Sequence, residues 1–255
     1  MGGFLGRCFA SAALLSLGLL SPAPAAAGEL VSFGASAGAG PIAIQGYLTR
    51  PPGRGPFPAV VLLHSCLGLP SNRRSIGREL ANWGYVALFV DDFATRGLRE
   101  TCAVDFPEGL ADAAGALAYM AKQPFVDGTR IAAIGYSQGG DTALQIAAGD
   151  LGFKAAIAFY PPCEGRLGVR FTIPTLILVG AADSVTPARY CEELAHGQPE
   201  ARLLVYPGAG HVFDDPQFAG GRKVLGMWLQ YDADAAAKSQ AALHDFLATE
   251  LAQRK

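Results

Sequence analysis

The stretch Gly135-Tyr136-Ser137-Gln138-Gly139 constrains this chain more than any other. It follows the apolar run Arg130-Ile131-Ala132-Ala133-Ile134, which reads as a strand, and precedes a helix-like segment from Asp141 to Ala148. A strand that breaks directly into a helix needs one residue in a strained backbone conformation. Glycines beside it remove the Cβ atoms that would collide there. Such a turn holds the Ser137 hydroxyl at the carboxyl edge of a sheet. The helix N-terminus behind it offers free N–H groups and a dipole end that favour negative charge. The chain has 32 glycines, so G-x-S-x-G alone can arise by accident. It gains meaning only if an acid and a histidine lie downstream in the required order.

Two strand-to-loop segments supply them. Pro174 to Gly180 reads as a buried strand and runs into Ala181-Ala182-Asp183. Ala201 to Tyr206 reads as another and runs into Pro207-Gly208-Ala209-Gly210-His211. The order Ser137, Asp183, His211 is that of α/β-hydrolases, whose sites sit beyond the strand C-termini. A serine hydroxyl is a weak nucleophile, so a base must take its proton. Imidazole suits that task, and a carboxylate on its far nitrogen fixes the tautomer. The remaining histidines have plainer readings. His64 shapes the site, His196 caps a helix before Gly197, and His244 packs on the last helix or faces solvent. Asp214 and Asp215 are too close to His211 in sequence to orient it, and solvation of their loop is expected instead. An oxyanion would be held by the Gln138 backbone N–H and by a second N–H from His64-Ser65-Cys66-Leu67-Gly68, for which we take Cys66.

With these blocks in place, the chain resembles the dienelactone hydrolase family. The resemblance rests on Val60 to Gly68, Asp91 to Gly97, Gly135 to Gly140, Phe159-Tyr160-Pro161-Pro162, Gly180 to Asp183 and Gly208 to Phe213. It implies an α/β-hydrolase fold, a mostly parallel sheet of eight or slightly fewer strands with helices on both faces, and hydrolysis of an ester or lactone. Two departures matter. The family pattern has a cysteine nucleophile and a glutamate where Ser65 stands, whereas Ser137 and Ser65 suggest a plain serine hydrolase. The family also uses two arginines to hold a substrate carboxylate. Arg96 matches one and is a candidate for binding an anionic or carbonyl group, or for shaping its loop through Asp91 or Asp92. Asp215 stands where the other arginine belongs.

Hydrophobic residues make up 51% of the 255, enough for one sizeable core. The formal net charge of −2, with no basic tract, argues against a nucleic-acid partner. No C-x-x-C or H-E-x-x-H pattern suggests a metal, and no cofactor is implied. Residues 1–27 read as a signal peptide: Arg7, an apolar Phe9 to Leu20, then an A-x-A site before Gly28. An uncleaved hydrophobic anchor is the alternative. Residues 28–255 would then be a single domain, periplasmic or secreted. Removal of Cys8 leaves Cys66, Cys102, Cys163 and Cys191, an even set for an oxidising compartment. Adjacency of the strands before them predicts Cys66–Cys102 and Cys163–Cys191. Four unbridged thiols are the alternative.

Strand and helix patterns alternate from Ala59 to Ala148, as a parallel sheet requires. Leu30 to Phe33 and Ile42 to Leu48 read as an entry hairpin. An amphipathic helix is predicted over Ala235 to Leu251. Irregular stretches at Gly97 to Phe106 and Val212 to Tyr231 are the expected pocket walls, with Phe93, Phe106, Tyr160, Phe213 and Trp228 as candidate lining. Together these features describe an exported serine hydrolase of a small-molecule ester or lactone. A peptidase or acyl-peptide hydrolase, and a non-catalytic binding protein on the same scaffold, are its rivals.

Overall fold

Long apolar runs alternate with helices along this chain, and both faces of the sheet they build are covered. The computed structural model describes residues 1–3, 28–37, 40–104 and 106–253. The predicted signal peptide, through residue 27, falls almost wholly outside them. Strands β1 (Glu29–Ala37) and β2 (Gly40–Thr49) form an antiparallel hairpin. Then come β3 (Phe57–Leu63), α1 (Arg73–Asn82), β4 (Val86–Asp91), α2 (Gly109–Ala121), β5 (Val126–Tyr136) and α3 (Gln138–Ala148). The chain continues through β6 (Ala155–Phe159), β7 (Thr175–Gly180), α4 (Ala188–Ala195) and β8 (Ala201–Tyr206). It ends with β9 (Arg222–Val224), β10 (Met227–Leu229) and α5 (Ala233–Glu250).

The main sheet has eight strands in the order β1-β2-β4-β3-β5-β6-β7-β8. From β4 to β8 every pairing is parallel, and β2 joins β4 antiparallel. This is the α/β-hydrolase fold expected from the sequence. Period-two alternation sends neighbouring side chains of β3 to opposite faces. Val60 and Leu62 pack with Leu80 of α1 and Leu243 and Phe246 of α5. Val61 and Leu63 pack with Ala113, Ala116 and Met120 of α2. Ala143 and Ala147 of α3 join Cys191 and Leu194 of α4 over β6 and β7. In α5 the buried positions Ala235, Ser239, Ala242, Leu243, Phe246 and Leu247 form one stripe, and Asp232 caps its first turn by accepting from the Ala235 N–H at 2.9 Å.

Two disulfides join loops that leave neighbouring strands. Cys66 beyond β3 is bonded to Cys102 beyond β4, and Cys163 beyond β6 to Cys191 in α4. Cross-linking residues 28 apart removes loop entropy from the unfolded chain. The double variant Cys163→Ala/Cys191→Ala should therefore unfold in urea with a free energy lower by about 3 kcal/mol. An unchanged midpoint and slope would show that this bond contributes nothing to stability.

Candidate active site

The turn after β5 is as tight as its glycines require. Ser137 sits at φ 52°, ψ −111°, a region that L-residues rarely adopt, and α3 starts at the next residue. Its N–H donates to Phe159 O at 2.9 Å, which pins the turn to β6. Ser137 is 8% exposed. Its Oγ lies 3.0 Å from His211 Nε2. On the far side of the ring, Nδ1 lies 2.7 Å from Asp183 Oδ2.

Each partner is fixed by its own loop. Asp183 follows β7, and its Oδ1 accepts the N–H groups of Val185 at 2.8 Å and Thr186 at 2.9 Å. The Thr186 hydroxyl, which no motif had singled out, lies 2.8 Å from Asp183 Oδ2, 3.2 Å from His211 Nδ1 and 3.1 Å from Tyr160 O. Burial alone would raise the Asp183 carboxyl. The hydrogen bond and charge of His211, with the Thr186 bonds, outweigh it and hold the carboxyl below its usual range. His211 follows β8 and is 3% exposed. Tyr160 packs against its ring edge-on, with centroids 4.8 Å apart. The two-stranded hairpin β9–β10 also holds this segment: Leu229 bridges to His211, and the Gln230 N–H donates to His211 O at 3.3 Å.

A cavity of about 270 Å³ is lined by Tyr136 and Val212, the chain neighbours of Ser137 and His211, and by Ser65 of the loop after β3. Tyr136, Tyr160, Val212, Phe218 and Val224 supply apolar wall, and Asp214 and Arg222 supply charge. A second cavity, of about 380 Å³ between α1 and α5, shares Asn72, Ile76, Tyr136 and Asp214 with the first. The expected lining needs correction. Only Tyr160 of the five aromatic candidates lines the first cavity. Phe213 is fully buried in the core and Phe93 is stacked edge-on against His64. Phe106 lies against Arg96, and Trp228 turns outward, 46% exposed.

Of the two roles expected for Arg96, the structure favours the shaping of its loop. Its guanidinium makes paired hydrogen bonds to the Asp112 carboxylate, at 2.8 and 3.0 Å, and donates to Asp92 O at 2.7 Å. It does not line the cavity, so its place is in the framework of the loop. The bond to Asp92 is the expected one, made through its carbonyl oxygen, and the fully buried Asp112 carboxylate in α2 is a partner the sequence did not suggest. His196 ends α4 before Gly197, and His244 packs edge-on against Trp83.

Asp214 and Asp215 are not solvating groups. Asp215 accepts from the Gln217 N–H and side-chain amide. Asp214 accepts from the Tyr160 hydroxyl at 2.8 Å. Burial pushes its carboxyl up to about 6, against the opposing pull of the Tyr160 bond. The folded protein therefore holds this proton more tightly than the unfolded chain does. The stability it contributes is fully present below the ordinary carboxyl range and is lost as pH rises through about 6. Asp214→Asn keeps an acceptor for Tyr160 and cannot ionise. It should raise the unfolding free energy at pH 8 by about 1 to 2 kcal/mol and leave it unchanged near pH 4. Equal effects at the two pH values in urea titrations would refute the assignment.

The sequence and the fold both have relatives. A model of the dienelactone hydrolase family matches residues 44–251. A probable 2-oxo-3-(5-oxofuran-2-ylidene)propanoate lactonase of Bradyrhizobium sp is 26% identical over 195 residues, covering 66% of this chain and 78% of that protein. A putative carboxymethylenebutenolidase of Yersinia pestis is 26% identical over 199 residues, covering 67% and 74%. Among solved structures, a dienelactone-hydrolase-like promiscuous phosphotriesterase from metagenomic libraries superposes with a TM-score of 0.73 at 24% identity, covering 89% of this chain and 100% of that one.

Proposed function

Since this chain belongs to the dienelactone hydrolase family, we propose that it hydrolyses a carboxylic ester or lactone by a serine mechanism. The observation that carries the reading is the line Ser137 Oγ, His211, Asp183, with separations of 3.0 and 2.7 Å. Ser137 Oγ attacks the substrate carbonyl carbon while His211 Nε2 takes its proton. The carbonyl oxygen becomes an oxyanion, held by the backbone N–H groups of Gln138 and Cys66. Collapse expels the alcohol, which leaves with the proton from His211. The acyl group stays on Ser137. Water then attacks this ester, His211 takes its proton, and the acid departs as Ser137 recovers its hydrogen. Asp183 keeps the ring in the tautomer that presents a bare Nε2 to the serine. No step calls for a cofactor. The lactonase and carboxymethylenebutenolidase descriptions of the relatives support a cyclic or linear ester as substrate.

Export belongs to the same proposal. It is supported by the predicted signal peptide over residues 1–27 and by two disulfides, which persist in oxidising compartments. Residues 28–255 then form the single mature domain.

The reading is tested with a short-chain p-nitrophenyl ester and a fluorophosphonate that labels activated serines. Turnover together with labelling mapped to Ser137 is expected. A folded protein that neither turns over the ester nor takes the label would be a binding protein on a hydrolase scaffold.

A further inference from the structure

At the carboxyl end of β3 stands a buried acid–base pair that the acyl-transfer steps do not use. His64 is 5% exposed, and its Nε2 lies 2.7 Å from Asp92 Oδ1. The atoms are close but do not form an aligned hydrogen bond, and the contact is an ion pair when the ring carries both protons. The other ring nitrogen, Nδ1, lies 2.8 Å from Ser65 O. Both nitrogens thus face oxygen acceptors, which suits a ring carrying both protons. Burial alone would lower its pKa, but Asp92, Ser65 O and the charge of Asp91 together raise it.

We propose that His64 and Asp92 are positioning residues for the oxyanion hole, gripping the Ser65 carbonyl and so aiming the Cys66 N–H. This rests on the serine-hydrolase reading above. The Ser65 C=O and the Cys66 N–H belong to one planar trans peptide unit, in which they point in opposite directions. A donor that holds the carbonyl on one side fixes the N–H on the other. Ser65 O receives His64 Nδ1–H and, at 3.0 Å, the Gly68 N–H. Among the described residues, no acceptor takes the Cys66 N–H, which leaves it for a ligand.

The next peptide is held as well. The Thr101 N–H donates to Cys66 O at 2.9 Å, and the Cys102 sulfur is bonded to Cys66. The Thr101 hydroxyl donates to Gln138 Oε1 at 2.8 Å, and Thr101 is 3% exposed. Thr101 therefore reaches both residues whose N–H groups form the hole. The Gly139 N–H donates to His64 O at 3.1 Å and ties the start of α3 to the same strand end. Donors aimed before the reaction are what an oxyanion hole requires.

The experiment compares kcat and KM of the full protein on an ester and on the matching thionoester. Sulfur in place of the carbonyl oxygen is a weak acceptor and gains little from the hole. His64→Leu removes the grip on Ser65. It should lower kcat on the ester by about ten- to a hundredfold, with KM nearly constant and a much smaller loss on the thionoester. His64→Asn places an amide nitrogen near the Nδ1 position and should keep most of the ester-to-thionoester ratio. If His64→Leu does not fold, Asp92→Asn removes the partner charge at constant shape and should lower the same ratio. An unchanged ratio in His64→Leu and Asp92→Asn, or an Asn variant that falls as far as the Leu variant, overturns the inference while leaving the hydrolase reading intact. A wild type with no Ser137-dependent turnover overturns both.

Discussion

Ser137→Ala is expected to lower kcat on a p-nitrophenyl ester by about 10⁴- to 10⁶-fold, with thermal stability kept within a few degrees. The size follows from the geometry. His211 Nε2 is directed at Ser137 Oγ, and without that oxygen the base has only water to activate. The elements that would hold the oxyanion remain, so a residue of activity above water is expected. His211→Ala should cost about as much, because the two groups act as one unit and their losses do not add. The measurement is steady-state kinetics with the folded fraction checked by circular dichroism. A variant that retains more than about a tenth of the wild-type rate would place the nucleophile elsewhere.

Gly135→Ala should destabilise the fold by about 3 to 5 kcal/mol or prevent soluble expression, although only a methyl group is added. A Cβ at Gly135 would lie 1.9 Å from Gly139 O and 2.3 Å from Gly139 C. These are backbone atoms in the first turn of α3, and they cannot rotate away as a side chain can. Relief would require β5 and α3 to separate at the turn that carries Ser137. Gly34→Ala is the matched control, since nothing lies within 4 Å of its Cβ. It should change urea unfolding by less than about 0.5 kcal/mol. Similar midpoints for the two variants would contradict the close approach.

The legible part of this chain was whatever depends on neighbours in sequence or on chain order. The central strands announce themselves because burial on both faces makes them continuously apolar, as in Val60 to Leu63. The elbow was legible because a strand, a strained serine and a helix meet within a few residues. The adjacency of β3 with β4, and of β6 with β7, brings Cys66 to Cys102 and Cys163 to Cys191. Tertiary choices were hidden. Asp112, 16 residues from Arg96 in α2, carries no local mark as its partner. The hairpin β9–β10 has strands of three residues each, too short to show alternation. Phe213 and Trp228 are both large and aromatic, yet one is enclosed by Tyr160 and Tyr206 and the other faces out. Asp214 and Asp215 look like loop solvation until the Tyr160 hydroxyl and the Gln217 amide are seen beside them.

The two sulfur bonds have a consequence for how the protein is made. Their loops do not interleave: residues 66 and 102 close before 163 and 191 begin. For a chain threaded N-terminus first into an oxidising space, with the segment bearing Cys8 removed, every cysteine meets its native partner as the next one to emerge. If the chain is exported as proposed, an oxidase that joins thiols in order of arrival makes these two pairs without a disulfide shuffler.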